Sequence, residues 1–167
     1  MKRYEDVINR IADAIGVPRA VAQALADTED NLRDASAVRD AGESYGLLSV
    51  QLPTAREYGY SGSSEGLKDP ATNVLYGLRY LKAMYQRFGD WSRAYAAYNA
   101  GPDLSPWPAG NVSRFQSNLA RWGKAYGGFL QPPILTAGIG GWLLAVAVLG
   151  WLLPQLIRRR RRGRSRR

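Results

Sequence analysis

Residues 69–89 read DPATNVLYGLRYLKAMYQRFG, and their pattern is the clearest structural signal in the chain. Asp69 and Pro70 suit the N-cap and first position of a helix, because an aspartate can accept from a backbone N–H and proline needs none there. Apolar residues then recur at helical spacing as far as Gly89, a typical helix end. They are Val74, Leu78, Leu81, Tyr85 and Phe88. The stretch therefore predicts a long helix with one buried face.

Similar patterns lie on both sides of this helix. Upstream, the spacing of apolar residues predicts one helix that ends at Gly16 and a second that opens at Pro18. Downstream, it predicts helices over residues 92–99 and 112–126. No stretch alternates for more than a few residues, as a half-buried strand would. We therefore expect an all-α domain with minimal strand content over residues 1–127.

The chain has 167 residues and contains neither histidine nor cysteine. This composition excludes Ser-His-Asp and Cys-His nucleophile systems, thiol redox chemistry, disulfides, and zinc sites made of histidine or cysteine. Any chemistry has to come from carboxylates, hydroxyls, amides or backbone groups.

The net charge of +9 describes the end of the chain. Eight arginines fall within residues 158–167, whereas the rest of the chain carries 15 basic and 14 acidic residues. The main domain therefore gives little support for a nucleic-acid-binding surface. The arginine run has three open interpretations: a signal that holds this end in the cytoplasm, binding to anionic lipid, or binding to packaged DNA.

An uncharged stretch precedes the arginines. Ile134–Leu153 reads ILTAGIGGWLLAVAVLGWLL, and these 20 residues would span roughly 30 Å as a helix, the thickness of a bilayer core. A buried helix in a soluble protein is the alternative, but a domain this small cannot surround it. We expect a Pro-containing linker at 128–133, one transmembrane helix at 134–157 and an arginine-rich tail at 158–167. Small residues at helical spacing allow helix pairing, and therefore an oligomer; they are Ala137, Gly141 and Ala145.

The setting of this anchor has two interpretations. Lys2 and Arg3 are followed by Tyr4-Glu5-Asp6 in place of an apolar segment, so no standard export signal is expected. An anchored domain with no such signal fits the internal membrane of a phage particle, where the arginines would face packaged DNA. The alternative is a bacterial inner membrane with the domain facing the periplasm.

Glu29 is the candidate catalytic residue. It lies on the same predicted helix face as Val21 and Leu25, whereas Asp27 points nearly the opposite way. Desolvation against an apolar face raises the pKa of a carboxyl, and a general acid for glycoside cleavage needs this. Periodicity alone leaves a purely structural helix-end glutamate open.

Four segments together resemble the soluble lytic transglycosylase family, the lysozyme-like peptidoglycan lyases. The segments follow the family's order over about residues 15–102. They are GVP at 16–18 with ALADTE at 24–29, SYGLLSV at 44–50 with TAREYG at 54–59, DPATN at 69–73 with YGLRYL at 76–81, and AAYNAGP at 96–102. The resemblance implies a small helical domain of the lysozyme-like α+β superfamily that acts on peptidoglycan glycan strands.

The resemblance also implies residue roles. Glu29 would be the single acid and base, and Tyr98 would hydrogen-bond near its carboxyl and orient it. Asn99 and the backbone of Gly46, Leu47 and Ser49 would line the saccharide groove. The reaction would form a 1,6-anhydro end and would need no metal or organic cofactor. For Tyr98 and Asn99, a core aromatic and a helix cap are the structural alternatives.

Three departures from the family pattern keep other functions open. Asp30 stands where serine is common, Ser49 stands where the family has glutamine, and the loop between Glu29 and Gly46 is about two residues longer. We expect the acids of that loop, Asp34, Asp40 and Glu43, to be solvated charges. A second carboxylate among them would instead give a lysozyme-type hydrolase. The departures at Asp30 and Ser49 favour a third possibility, a non-catalytic murein-binding membrane anchor.

Overall fold

Helices dominate the computed structural model, which describes residues 3–30, 33–103 and 109–127. Two 3-10 turns, Asp40–Gly42 and Glu65–Lys68, accompany the helices and strands. The six helices of the described part are α1 Glu5–Ile15, α2 Arg19–Glu29, α3 Leu52–Glu57, α4 Pro70–Phe88, α5 Trp91–Ala100 and α6 Ala109–Ala125. The prediction of a mainly helical domain is confirmed.

The predicted ends of α4 are confirmed at the level of single bonds. Asp69 Oδ2 accepts from the backbone N–H of Thr72 at 2.8 Å, and Pro70 fills the first turn. At the other end Gly89 has a φ of 71°, the left-handed conformation that glycine adopts at little cost, and its N–H donates to Tyr85 O.

Helix α2 crosses the core and is buried on almost every side. Val21 and Leu25 are fully buried, as their periodicity predicted, but so are Ala22 and Ala24 on other faces. Small alanine side chains let α1 and α6 pack closely against α2. The consequence is that Asp27, which points away from Glu29, is buried as well.

A small antiparallel sheet lies between α2 and α3 in the sequence. Its strands are β1 Val38–Arg39, β2 Ser44–Tyr45 and β3 Val50–Gln51, in the order β1-β2-β3. Ser44 pairs with Gln51, and Tyr45 pairs with both Val38 and Val50. Two residues are too few to show alternation, which is why the sequence located none of these strands. The fold is therefore helical with a minor β element, which agrees with the minimal strand content expected from the sequence.

The predicted linker 128–133, transmembrane helix 134–157 and tail 158–167 lie outside the described residues. Within the described ranges, no helix combines the length and apolar character that crossing a bilayer requires.

Candidate active site

A cavity of about 350 Å³ opens where α2 ends beside the small sheet and α5. Its lining includes Glu29 and three of the other site residues that the sequence predicted: Ser49, Tyr98 and Asn99. The full lining is Glu29, Asp40, Ser44, Ser49, Val50, Gln51, Thr54, Tyr80, Tyr98, Asn99, Ala100 and Gly101.

Glu29 is the last residue of α2 and lies partly buried in the cavity wall. Burial raises the pKa of its carboxyl from the ordinary 4.5 to about 7, because the charged form loses hydration. Two kinds of interaction lower the pKa and offset part of this effect. They are hydrogen bonding by the hydroxyls of Tyr95 and Ser49, and the positive charges of Arg114 and Arg39. A large fraction of Glu29 is therefore protonated at neutral pH, as a general acid requires.

The hydrogen bond to Glu29 comes from Tyr95, which the sequence pattern did not single out. Its phenol donates to Glu29 Oε1 at 3.0 Å. The buried Tyr95 ring stacks on Phe115, with centroids 4.6 Å apart and an interplanar angle of 7°. This stacking fixes the donor. The sequence spacing could have identified Tyr95, because it lies three residues before Tyr98 and therefore on the same helix face.

Tyr98 donates its hydrogen bond to a backbone carbonyl, and its role in orienting Glu29 stays a prediction. Its phenol donates to the backbone carbonyl of Leu48 at 2.6 Å, and its ring lies 5.1 Å from that of Tyr80. Tyr98 therefore lines the cavity and ties α5 to the turn after β2, while the donor to Glu29 is one turn earlier.

Gly46 and Leu47 lie outside the cavity lining. Gly46 has a φ of 70°, and a Cβ there would come within 2.5 Å of Asn73 Nδ2 and 2.7 Å of Leu67 O. Leu47 is fully buried in the core. The side chain of Asn73 holds this turn: it accepts from Leu48 N at 2.8 Å and donates to Tyr45 O at 2.7 Å. Substrate contact at Gly46 and Leu47 stays a prediction.

Ser49 and Asn99 line the cavity. Ser49 has a φ of 50°, and its Oγ is buried without a hydrogen bond of normal geometry to the described residues. Asn99 Oδ1 accepts from Asn111 Nδ2 at 3.2 Å, so α5 and α6 meet at the cavity rim. Their predicted roles in binding stay predictions.

The departure at Asp30 is tied to the turn that carries Ser49. Asp30 is 6% exposed, and its Oδ2 lies 3.0 Å from Arg39 Nη2. Arg39 Nη1 in turn donates to Gly46 O at 3.3 Å. Asp30 thus connects the end of α2 to Gly46 through an arginine, a structural use that a serine at this position would not offer.

The other loop acids are exposed, as expected. Asp34 accepts from Ser36 Oγ at 2.7 Å and does not line the cavity, and neither does Glu43. Asp40 differs, because it does line the cavity and its Oδ2 accepts from Ser44 Oγ at 2.5 Å. Among the residues that the structure describes, no three acidic side chains come together as a metal site would need.

The fold and the site define one class of protein, a helical domain with a desolvated glutamate at the end of a core helix. Residues 6–114 match the family model described as the transglycosylase SLT domain. This match covers more than half of the chain, so the chain belongs to the SLT family.

Individual relatives agree with this assignment. The chain is 32% identical over 124 residues to the soluble lytic murein transglycosylase of Escherichia coli K12, an alignment that covers 68% of this chain and 19% of that protein. The chain therefore spans about a fifth of the length of the curated relatives that it matches.

Solved structures show the same fold. The 70 kDa soluble lytic transglycosylase of E. coli matches with a TM-score of 0.52 and 31% identity, over 71% of this chain and 19% of that chain. An inactive mutant of the lytic transglycosylase Slt from Pseudomonas aeruginosa matches with a TM-score of 0.62 and 22% identity, over 74% of this chain and 24% of that chain. The lysozyme-like fold expected from the sequence is confirmed.

Proposed function

We propose that this chain is a peptidoglycan lytic transglycosylase, which cleaves the β-1,4 bond between N-acetylmuramic acid and N-acetylglucosamine and leaves a 1,6-anhydro end. The observation that carries the proposal is Glu29, a carboxyl at the wall of a cavity with its pKa raised by burial to about 7. Membership of the SLT family supports the substrate class, because the E. coli relative is named a soluble lytic murein transglycosylase.

The proposed reaction uses Glu29 twice. Its carboxyl gives a proton to the oxygen that joins the two sugars, and positive charge develops at the anomeric carbon of the muramic acid unit. The acetamido oxygen of the substrate stabilises that carbon. Glu29, now ionised, takes the proton of the 6-hydroxyl, whose oxygen then closes the anhydro ring. A pKa near the working pH suits both halves of this cycle.

The other cavity residues have supporting roles in this proposal. Tyr95 holds one oxygen of Glu29, which leaves the other oxygen to carry the transferable proton. We assign the contacts with the saccharide to Ser49, Tyr98 and Asn99, which line the cavity with Glu29. No step of the reaction calls for a metal or an organic cofactor.

The test is to incubate the full chain, in detergent, with purified murein and to identify the new ends by mass spectrometry. Anhydro ends are expected. Glu29→Gln should abolish them, because the amide keeps the shape of the side chain but has no acidic proton to give. Murein that co-sediments with the native chain but shows no new ends would instead identify a non-catalytic murein-binding anchor.

One observation favours a second candidate, a lysozyme-type hydrolase. Asp40 lines the same cavity as Glu29, and Ser44 Oγ donates to one of its oxygens. A second carboxylate can activate water, in which case the products would be reducing ends that carry added water. In that case Asp40→Asn should shift the products toward anhydro ends; if Asp40 has no such role, the product ratio stays unchanged.

We further propose, from the sequence, that residues 134–157 anchor the domain in a membrane and that residues 158–167 contact anionic lipid or packaged DNA. The support is the uncharged stretch that ends at Ile157 and the eight arginines that follow it.

The preferred setting is the internal membrane of a phage, where the enzyme would open the cell wall locally during entry; a bacterial inner membrane is the alternative. Detection of the protein in purified virions distinguishes the two, and protease accessibility of the domain in intact particles or membranes gives its orientation.

A further inference from the structure

Ser49 has an unusual backbone conformation beside Glu29. Its φ of 50° lies in the left-handed region, which serine seldom adopts. Such positions persist only where the surrounding structure determines them, and they cluster at functional sites. In this turn Ser49 N donates to Gly46 O at 3.3 Å, and Asn73 holds the preceding residue through Leu48 N. The turn therefore fixes the direction of the Ser49 side chain.

The hydroxyl of Ser49 is buried, yet within the described residues it has no hydrogen-bond partner of normal geometry. Native proteins pair nearly all such groups, so an exception calls for an explanation. Elsewhere among the described residues, Gln23 Oε1 and Trp91 Nε1 are also buried without a partner, but neither residue lines the cavity. Ser49 does line it, beside the Glu29 carboxyl with which its hydroxyl interacts.

We propose that Ser49 is a positioning residue whose hydroxyl is kept without another partner so that it can donate to Glu29 once that carboxyl is ionised. The inference rests on the proposed function, in which Glu29 first gives a proton and later takes one. A serine hydroxyl rotates freely and is both donor and acceptor, so it adapts to either state of the carboxyl. Its hydrogen bond to a carboxylate is about twice as strong as one to a neutral group.

Two hydroxyl donors then hold the ionised carboxyl. Tyr95 already donates to Oε1, from α5, and Ser49 supplies the second donor from the turn before β3. The stabilisation is largest when Glu29 is charged, which is the interval between its two proton transfers. Ser49 thereby favours the step in which the proton leaves, even though the family that this chain resembles normally holds glutamine at this position.

Other ionisable or charged groups also bear on Glu29 from the elements around it. They are Arg39 on β1, Asp40 at the cavity wall, Tyr95 and Tyr98 on α5, and Arg114 on α6. All of them are retained in a variant of Ser49. A change measured in such a variant therefore reports the loss of the hydroxyl.

The experiment compares Ser49→Ala and Ser49→Gly in the full chain. Both remove the hydroxyl, but glycine also relieves the left-handed backbone. We expect kcat on soluble glycan strands to fall on the order of tenfold in both, with KM changed less than twofold, while the thermal midpoint rises for Ser49→Gly only. The pKa of Glu29, followed by carbon-13 NMR of labelled carboxyls, should rise by about half a unit or more in both.

Ala41→Gly is the matched control. Ala41 has a φ of 56° and is exposed, so glycine there relieves the same backbone conformation without removing a hydroxyl. Its kcat and the pKa of Glu29 should equal those of the native chain. Full kcat and an unshifted Glu29 pKa in Ser49→Gly would overturn the inference. A native chain that produces no new murein ends, but whose Glu29 still titrates higher in the Ser49 variants, would overturn the proposed function and leave the serine–glutamate contact established.

Discussion

The phenol of Tyr95 donates a 3.0 Å hydrogen bond to Glu29 Oε1 across 66 residues of sequence. Phe115 of α6 stacks on the Tyr95 ring. Helix α6 therefore fixes the donor on α5 that holds the Glu29 carboxyl of α2. The bond favours the ionised carboxylate and therefore opposes the effect of burial on its pKa. Tyr95 thus holds one oxygen of Glu29 and lowers the pKa that burial raises.

Tyr95→Phe should raise the pKa of Glu29 above its present value of about 7, because the ionised form loses a donor while burial is unchanged. A hydrogen bond to a charged group contributes about 1.5–3 kcal/mol, so a rise of about one to two pKa units is expected. The alkaline limb of kcat/KM against pH should move up by the same amount, and kcat should fall on the order of tenfold.

Tyr98→Phe is the control for that measurement. The Tyr98 phenol donates to Leu48 O, so the variant leaves the hydrogen bond from Tyr95 to Glu29 in place. We expect a weaker hold on the turn that carries Ser49, and an alkaline limb that stays within a few tenths of a unit of the native one. An alkaline limb unaffected by Tyr95→Phe would show that the phenol does not set the pKa.

Glu29→Gln should stabilise the fold at alkaline pH. Because the pKa of Glu29 is about 7 in the folded state and 4.5 ordinarily, its contribution to stability is full below pH 4.5 and is lost as the pH rises through 7. The full shift corresponds to about 3 kcal/mol, and partial exposure to the cavity reduces this to about 1–2 kcal/mol. Glutamine does not titrate, so its advantage should appear between pH 4.5 and 7 and reach a plateau above pH 8.

Thermal unfolding of both chains at pH 4, 6 and 8 measures this difference. The midpoints should converge at pH 4 and separate at pH 8, with the variant higher. Parallel curves across this range would mean that Glu29 titrates near its ordinary pKa, and the general-acid role would then lose its physical basis.

Asp27 anchors α2 to α6 and to the loop after α2 through buried contacts. Its Oδ1 accepts from Arg33 Nε at 3.0 Å and Nη2 at 2.8 Å, and its Oδ2 accepts from Trp122 Nε1 at 2.8 Å and pairs with Arg121. The Asp27 and Arg33 side chains are 0% and 1% exposed. Asp27→Asn should therefore destabilise the fold by about 3–5 kcal/mol, since it leaves a buried guanidinium without its carboxylate.

The surface pair Asp13–Arg19 provides a matched control for Asp27→Asn. The two side chains are 2.6 Å apart, close to the 2.8 Å between Asp27 and Arg33. Both are about half exposed, however, at 48% and 50%. Asp13→Asn should leave the unfolding midpoint nearly unchanged, because water already screens the pair. Equal losses in chemical unfolding of the two variants would show that burial does not decide the strength of the Asp27 contacts.

The helices could be predicted because their signals are local. Asp69, Pro70 and Gly89 mark the ends of α4 by their own backbone and side-chain chemistry, and the apolar spacing between them shows its buried face. Glu29 was found by the same means, since its helical phase matches Val21 and Leu25. The family motifs then supplied the chemical role that periodicity alone left open.

Contacts between distant segments could not be predicted in this way. The phenol that donates to Glu29 belongs to Tyr95, whereas that of Tyr98 donates to Leu48 O, 50 residues away in the sequence. The burial of Asp27 depends on Arg121 and Trp122, which lie more than 90 residues away. The two-residue strands carry too few positions for any pattern, and only their pairing in space defines them.

Gly46→Ala and Gly89→Ala separate backbone conformation from packing. Both glycines have nearly the same left-handed φ, 70° and 71°. A Cβ at Gly89 meets nothing within 4 Å, so alanine there should cost about 1 kcal/mol, the backbone penalty alone.

At Gly46 the Cβ would come within 2.5 Å of Asn73 Nδ2, whose hydrogen bonds to Tyr45 O and Leu67 O cannot shift without loss. We therefore expect a loss of more than about 2 kcal/mol in chemical unfolding. Because Asn73 also holds Leu48, the residue before Ser49, the activity of the folded fraction should fall in Gly46→Ala and stay native in Gly89→Ala.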